Sequence, residues 1–228
     1  MIVSIHQPNF IPWLGYFYKI NQSDIFVLLD DVQYTKNGFT NRNRIKTPQG
    51  ELWLTLPVKQ SGNFGQTINE CIIQQKGIAI KKILNSIKLN YAKALFFHTY
   101  IEQLEVLLNS DTESLAELNI LLIYWICECL DIKTKIIRSS TLNVSGKEST
   151  ERLIEICKNV NAKTYLSGKG GINYQDETLF ERQNITLKMS SFSSPNYPQL
   201  WGNFIGGLSI IDFLLNCGPD TKKFIHII

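Results

Sequence analysis

Two short apolar runs near the N-terminus constrain the fold of this chain most strongly. The first is Ile2 to Ile5 in MIVSIH, and the second lies in DIFVLLD, residues 24–30. Both are nearly continuous in apolar residues, which is typical of parallel strands covered on both faces. Between them, FIPWLGYFYKINQS contains Pro12, which suits the first turn of a helix. The sequence therefore predicts a right-handed strand–helix–strand unit at the start of the chain.

The rest of the chain predicts an α/β domain with two additions. A β-hairpin insertion is expected over about residues 38–74, with its turn at TPQG and a further strand in QTINECII. A helical section is expected over about 77–131, and within it Asp111 is the expected N-cap of a new helix. Strands and helices then alternate to the end. We predict a single three-layer domain over residues 1–228, built on a mostly parallel sheet.

Composition limits the classes of function. The net charge is only +3 over 228 residues, without long basic runs, so no nucleic-acid partner is expected. The five cysteines form no CxxC pair, which favours reduced thiols in a cytoplasmic protein and no metal site. No secretory leader is evident, and the longest apolar stretch, LNILLIYWICECL, is too short to span a bilayer. It is expected to form a buried core helix.

Polar residues follow four of the predicted strands. They are His6–Gln7, Asp30–Asp31, Arg138–Ser140 and Ser167–Gly171. In open parallel sheets, ligands bind outside the carboxyl ends of the strands, so these four segments should meet at one edge. We expect the functional site there.

The first two of these segments offer candidate catalytic residues. The imidazole of His6 suits a general base, although a structural histidine is an equal alternative. Gln7 could orient a substrate, because its amide both donates and accepts hydrogen bonds. Asp31 could contact a metal, a sugar hydroxyl or an amine, and the alternative is a turn residue. Trp13, in the following loop, is expected in the core or pocket wall, where it could face a sugar or a base.

Three further segments offer binding residues. KNGFTNRNRIK places Lys36, Arg42, Arg44 and Lys46 close together for gripping a phosphate, unless they form a solvated hairpin face. SGKGG, with Ser167 and Gly168, resembles a phosphate loop only loosely and otherwise reads as a flexible connection. Before the last predicted helix, Tyr197, Gln199 and Trp201 could complete a binding wall. Asp212, on that helix, needs a buried partner.

The chain resembles the WbqC-like protein family over nearly its whole length. Four blocks carry the resemblance in the same order: HQPNFIPWLGYFYKI, DIFVLLDDVQYTKNGFTNRNRIKTPQG, TYLSGKGGINY and NYPQLWGNFIGGLSIIDFLLNCG. The paired glycines of FIGGLS depart from the pattern and leave the pose of Ser209 and Asp212 open. The resemblance implies a glycine transferase for bacterial surface polysaccharide, such as O-antigen or lipopolysaccharide. Its substrates would be a nucleotide-linked amino sugar, for example dTDP-4-amino-4,6-dideoxyglucose, and an activated amino acid or acyl donor.

The matching blocks also carry over the site residues. These are His6, Gln7, Asp31, Lys36, Asn41, Arg42, Arg44, Ser167, Gly168, Tyr197 and Gln199. In the expected reaction His6 removes a proton from the sugar amine, and Asp31 contacts the amine or a sugar hydroxyl. Backbone donors or Gln7 face the oxyanion, and the cationic residues hold the diphosphate.

Two other functions stay open at this stage. The opening strand, histidine-bearing loop and helix look like the start of a nucleotidyltransferase-like α/β fold, although the HxGH pair of that group is absent. An ATP-dependent and Mg-dependent ligase that forms an acyl-adenylate is therefore one alternative. A non-catalytic sugar-nucleotide-binding protein is the other. The oligomeric state is open, and a homodimer is one arrangement compatible with the sequence.

Overall fold

The structure, a computed structural model, describes residues 1–59, 65–142, 144, 149–168, 170–171 and 175–219. The chain divides into two compact units. The first comprises Met1–Gln7, Tyr16–Val32 and Ile132–Ser193. The second comprises Pro8–Gly15, Gln33–Asp131 and the described part of Ser194–Ile228. That the chain forms one domain stays a prediction.

The first unit contains a five-stranded sheet with every pairing parallel. Its strands are β1 (Ile2–His6), β2 (Ile25–Leu28), β5 (Lys135–Arg138), β6 (Thr164–Ser167) and β7 (Thr186–Met189). Their order across the sheet is β5-β2-β1-β6-β7. Helix α1 (Leu14–Asn21) connects β1 to β2, as the apolar runs predict. The predicted α/β class with a parallel sheet is confirmed.

The core of this unit joins the sheet to two helices that follow β5 and β6. These are α5 (Ser149–Asn159) and α6 (Glu177–Glu181). Val3 and Ile5 of β1 pack with Ile154 and Cys157 of α5 in one buried cluster, which also contains Phe180 of α6. The sheet is thereby anchored to the helix that begins at its carboxyl edge.

The second unit contains the predicted hairpin, which is shorter than expected. Strands β3 (Arg42–Thr47) and β4 (Gly50–Thr55) pair antiparallel, and Gly50 has the positive φ of 108° that this turn requires. The turn at TPQG is confirmed, but the strand expected in residues 66–73 is wrong. That segment forms a 3₁₀ turn at Ile68–Glu70, because the Glu70 carboxylate accepts a hydrogen bond from Thr67 N at 2.9 Å.

The helical section consists of three helices in the second unit. They are α2 (Lys76–Tyr91), α3 (Phe97–Leu108) and α4 (Leu115–Cys129). The residue capping α4 is Ser114 and not Asp111, since its hydroxyl accepts from Glu117 N. Ten residues of α4 are buried, which confirms the predicted core helix. Helix α7 (Ile210–Cys217) ends the described chain, and none of the described helices combines the length and apolarity needed to cross a bilayer.

Candidate functional site

The strand order of the first unit creates a switch point beside β1. From β1 the chain passes to β2 on one side, and it later returns to β6 on the other side. Connections that leave a parallel sheet in opposite directions open a crevice at the carboxyl ends of the two strands, where ligands bind in such folds. His6 ends β1 and Ser167 ends β6. The parallel sheet thus brings these predicted residues to the same edge.

A cavity of about 450 Å³ lies at this edge, within the first unit. Its lining includes His6 and Gln7 from the end of β1, Tyr165 from β6, and Arg152 from the first turn of α5, with Gln175 before α6. Ser149 and four apolar side chains complete the wall, so the cavity combines an apolar part with several convergent polar groups. That composition is typical of small-molecule sites.

His6 is held in one orientation by its neighbours. Its Nδ1 lies 3.1 Å from the backbone oxygen of Gln7, and its ring meets the Tyr16 ring edge-on with centroids 4.9 Å apart. The Tyr16 hydroxyl donates to the same Gln7 oxygen at 3.0 Å. A carbonyl oxygen only accepts, so Nδ1 carries the hydrogen and Nε2 presents a lone pair.

The charge state of His6 follows from its surroundings. Burial lowers the pKa of His6 to about 3, and the nearby Lys19 ammonium lowers it further, against the opposing effect of the Gln7 hydrogen bond. Lys19 is itself buried, with Nζ donating to Ile5 O at 3.1 Å. The imidazole is therefore neutral near pH 7, and it offers a hydrogen-bond acceptor instead of a positive charge.

The two aspartates after β2 have different partners. Asp30 is fully buried and accepts hydrogen bonds from Arg138 Nε at 2.7 Å and from Ser140 N at 3.0 Å. Burial opposes ionisation of Asp30, yet the hydrogen bonds from Arg138 and Ser140 hold its pKa below the usual value. Asp31 accepts from Ser139 Oγ at 2.5 Å and pairs with Arg152, whose Nη2 lies 2.6 Å from its carboxylate. Asp30 thus fixes the turn, whereas Asp31 connects it to the cavity wall.

Ser167 supports the opposite wall of the cavity. Its hydroxyl donates to Gln175 Oε1 at 2.7 Å, and Gln175 Nε2 donates to the Tyr165 hydroxyl at 3.2 Å. A methyl group added at Gly171 would lie 2.3 Å from the Ser167 hydroxyl oxygen, so only glycine fits against this pair. Gly168 supplies a carbonyl oxygen 3.2 Å from the same hydroxyl. Lys169 of the SGKGG segment lies outside the described residues.

The predicted cationic residues lie on and beside the hairpin of the second unit. The guanidinium of Arg42 covers the Trp53 ring at 4.2 Å from its centroid, and that of Arg44 lies at 5.4 Å. Arg44 is also paired with Glu51, Nη1 to Oε2 at 2.7 Å, whereas Lys36 is exposed. Arg42 Nη2 also donates to Asn37 O at 2.6 Å, so the exposed Lys36 is the least engaged of the three in the described part of the chain.

Three other predicted binding residues are engaged within the second unit. The buried Asp212 carboxylate accepts hydrogen bonds from Tyr197 and Gln199, each at 2.8 Å, and from Tyr91 at 2.6 Å. Asn41 Nδ2 donates to a backbone oxygen of the hairpin segment at 2.8 Å. Asp212 therefore anchors the loop before α7, and Tyr197 and Gln199 hold that loop in place.

The structure thus places one group of predicted site residues in each unit. His6 and Gln7 share the cavity of the first unit, with Asp31 and Ser167 one contact behind its wall. Trp13 belongs to the second unit, with 38% of its surface exposed.

Sequence reasoning missed three residues that line the cavity of the first unit, Arg152, Tyr165 and Gln175. Arg152 sits among alternating charges of an amphipathic helix, and nothing in that pattern distinguishes it from a solvated residue. Among the described residues, no cluster of ligands suits a metal ion.

Comparison with known proteins agrees on the family. The model of the WbqC-like protein family matches residues 7–224. The chain is also 36% identical over 226 residues to the uncharacterized protein Rv1507c of Mycobacterium tuberculosis, covering 98% of this chain and 97% of that protein. No solved structure matches the chain significantly.

Proposed function

Because the chain belongs to the WbqC-like protein family, we propose that it transfers an aminoacyl or acyl group to the amino group of a nucleotide-linked aminodeoxy sugar. Glycine is the proposed acyl group, and surface polysaccharide such as O-antigen is the proposed destination. One observation carries the catalytic part of this proposal. A neutral histidine, whose Nδ1 is engaged by the Gln7 carbonyl so that Nε2 carries the lone pair, lines a cavity on the switch point of a parallel sheet.

The chemistry requires a neutral amine and an activated acyl carbon. The amine nitrogen attacks the acyl carbon, the new C–N bond forms, and the bond from carbon to the activating group breaks. His6 Nε2 accepts a hydrogen bond from the attacking amine and so directs the nitrogen lone pair towards the carbon. Because the pKa of His6 is about 3, the proton lost by the amine passes on to the leaving group or to water.

Gln7 is the proposed donor to the oxyanion that develops on the acyl oxygen. Its side-chain amide belongs to a residue that lines the cavity next to His6. A preorganised donor at such a position typically contributes about 3–4 kcal/mol to the stability of the transition state. In this proposal Asp31 acts through its ion pair with Arg152.

The second unit carries a further group of residues that we propose as contacts for a sugar nucleotide. Lys36, Arg42 and Arg44 would contact the diphosphate, and Trp13 would stack on the base or sugar. Within the described residues, the buried Nε atoms of Arg42 and Arg44 and the buried Oδ1 atom of Asn41 meet no hydrogen-bond partner, which supports a ligand role for this segment. Tyr197 and Gln199 would contribute by holding their loop on Asp212.

Mass spectrometry of a defined reaction tests the proposal. The protein is incubated with a dTDP-linked 4-amino sugar and either glycine with ATP and magnesium, glycine alone, or a glycyl thioester. A product heavier by one glycyl group with the thioester supports direct transfer. The same product only with ATP, together with AMP or ADP release, supports the ligase instead. No product in any arm, with retained binding of the sugar nucleotide, would favour the non-catalytic function.

A His6→Asn variant provides the matched control for that assay. Asparagine can keep the hydrogen bond to the Gln7 carbonyl but has no ring nitrogen at the position of Nε2. We expect turnover to fall by about 100-fold or more, with the affinity for the sugar nucleotide unchanged. Unchanged turnover would show that His6 has only a structural role.

A further inference from the structure

Arg152 is the charged side chain of the cavity in the first unit. Among the described lining residues, the others are apolar side chains, amides, hydroxyls and the neutral His6. Its partner Asp31 does not line the cavity. In the described part of the chain, the cavity wall thus presents one guanidinium and no carboxylate, and the Asp31 carboxylate behind the guanidinium offsets part of its charge.

The guanidinium of Arg152 is fixed from behind. Nη2 lies 2.6 Å from the Asp31 carboxylate, and Nη1 donates to the backbone oxygen of Val144 at 3.4 Å. Asp31 is held in turn by the Ser139 hydroxyl. The side chain of Arg152 is only 14% exposed. A long arginine side chain held on two sides loses little conformational entropy when a ligand binds, so its remaining N–H groups are preorganised.

One donor of this guanidinium has no partner. Arg152 Nε is buried and meets no hydrogen-bond acceptor in the described part of the chain. An unsatisfied charged donor is costly in a folded protein and is usually explained by a missing ligand, ion or water. The planar fork of arginine matches the two oxygens of a carboxylate or a phosphate.

We propose that Arg152 binds a carboxylate or phosphate group of a substrate in this cavity, and that Asp31 is the positioning residue that orients it. This inference rests on the proposed function, because that reaction supplies anions of both kinds. The acceptor carries a diphosphate, and the donor is a carboxylic acid derivative. Asp31 accordingly needs no contact with the sugar amine.

Binding measurements test the site without relying on turnover. Isothermal titration is performed with glycine and acetate as carboxylate probes, and with inorganic phosphate and thymidine diphosphate as phosphate probes. We expect one of the two classes to bind the wild type saturably, which identifies the source of the anion. Arg152→Gln should weaken that binding by about tenfold or more, since a charged hydrogen bond is lost.

Arg182→Gln is the matched control, because it removes the same charge from an exposed arginine of the same unit. It should leave the affinity unchanged. Equal losses in the Arg152 and Arg182 variants, or no saturable binding of any probe to the wild type, would overturn the proposal.

Asp31→Asn separates positioning from simple electrostatics. If Asp31 only repelled the anion, removing its charge would strengthen binding. If it positions Arg152, binding should weaken severalfold despite the more positive cavity, and Asp31→Glu should restore part of it. Tighter binding in Asp31→Asn would refute the positioning role. Arg152-dependent binding without any transfer would leave this site standing and reject the proposed reaction.

Discussion

Lys19 provides a sharp test of how the first unit is built. It lies on α1 with 4% of its surface exposed, and its Nζ donates to Ile5 O at 3.1 Å and lies 5.8 Å from the centroid of the Phe26 ring. No carboxylate is paired with it in the described part of the chain. Burial therefore lowers the pKa of Lys19 from 10.5 to about 7. We expect Lys19→Met to remove a pH-dependent penalty on the stability of the fold.

The sign and size of this effect follow from proton linkage. Between pH 7 and pH 10.5 the unfolded chain keeps the Lys19 proton and the native state releases it, so stability rises with pH. Below pH 7 both states are protonated and the native state carries the full cost of burying the ammonium. Over the whole window the difference amounts to about 5 kcal/mol. Between pH 7 and about pH 8.5 it amounts to about 1.6 kcal/mol.

Urea denaturation followed by far-UV circular dichroism measures this difference. The free energy of unfolding of the wild type should rise relative to that of Lys19→Met by about 1.6 kcal/mol between pH 7 and about pH 8.5. The variant should be the more stable protein at pH 7. Lys81→Met, at an exposed position of α2, is the control and should follow the wild type. Parallel pH profiles for wild type and Lys19→Met would refute the reasoning, because they would mean that the ammonium stays hydrated in the native state.

Three further outcomes are expected from the contacts described above. Gly171→Ala should destabilise the protein by about 1–3 kcal/mol in urea denaturation through overpacking, while Gly170→Ala, where no atom lies within 4 Å of the added carbon, should be neutral. Imidazole nitrogen NMR should show His6 as the neutral Nδ1–H tautomer from pH 5 to pH 8, and a titration near pH 6.5 would contradict the assigned hydrogen bond. Tyr197→Phe should lower the free energy of unfolding by about 1.5–3 kcal/mol, because it removes a hydrogen-bond donor from the buried Asp212 carboxylate. An unchanged midpoint of urea denaturation would show that this hydrogen bond does not stabilise the fold.

Local features of the fold could be predicted because they depend on neighbouring residues. The apolar runs at β1 and β2 and the TPQG turn each specify one element through periodicity or backbone geometry. The apolar composition of α4 likewise predicts a buried helix. The strand expected in residues 66–73 did not form, because a local carboxylate–backbone hydrogen bond supports the 3₁₀ turn at Ile68–Glu70 and the residues around this turn make only isolated bridges to three different segments.

The order of the strands could not be predicted in this way. That β1 lies between β2 and β6 depends on pairing between residues about 160 positions apart, such as Val3 with Tyr165. The same holds for side chains whose partners are distant in sequence. Asp31 was assigned to the substrate because Arg152 stands far along the chain, and Lys19 gave no sign of burial in the segment FYKIN. Sequence reasoning therefore predicted which polar residues meet at the carboxyl edge of the sheet, but not the groups that complete the cavity there.

Whether a buried polar group has all its hydrogen-bond partners distinguishes structural residues from candidate ligand-binding residues better than residue type does. Lys46 is buried in the second unit, but its Nζ meets Gln199 Oε1 at 3.1 Å and Asn203 O at 2.6 Å. Asp212 is equally well satisfied by its three donors, and such closed networks rigidify a fold without needing a ligand. Arg152, Arg42 and Arg44, in contrast, each keep a buried Nε without an acceptor among the described residues. Since an unsatisfied donor is retained at a cost, substitution of these three arginines should change ligand affinity more than stability.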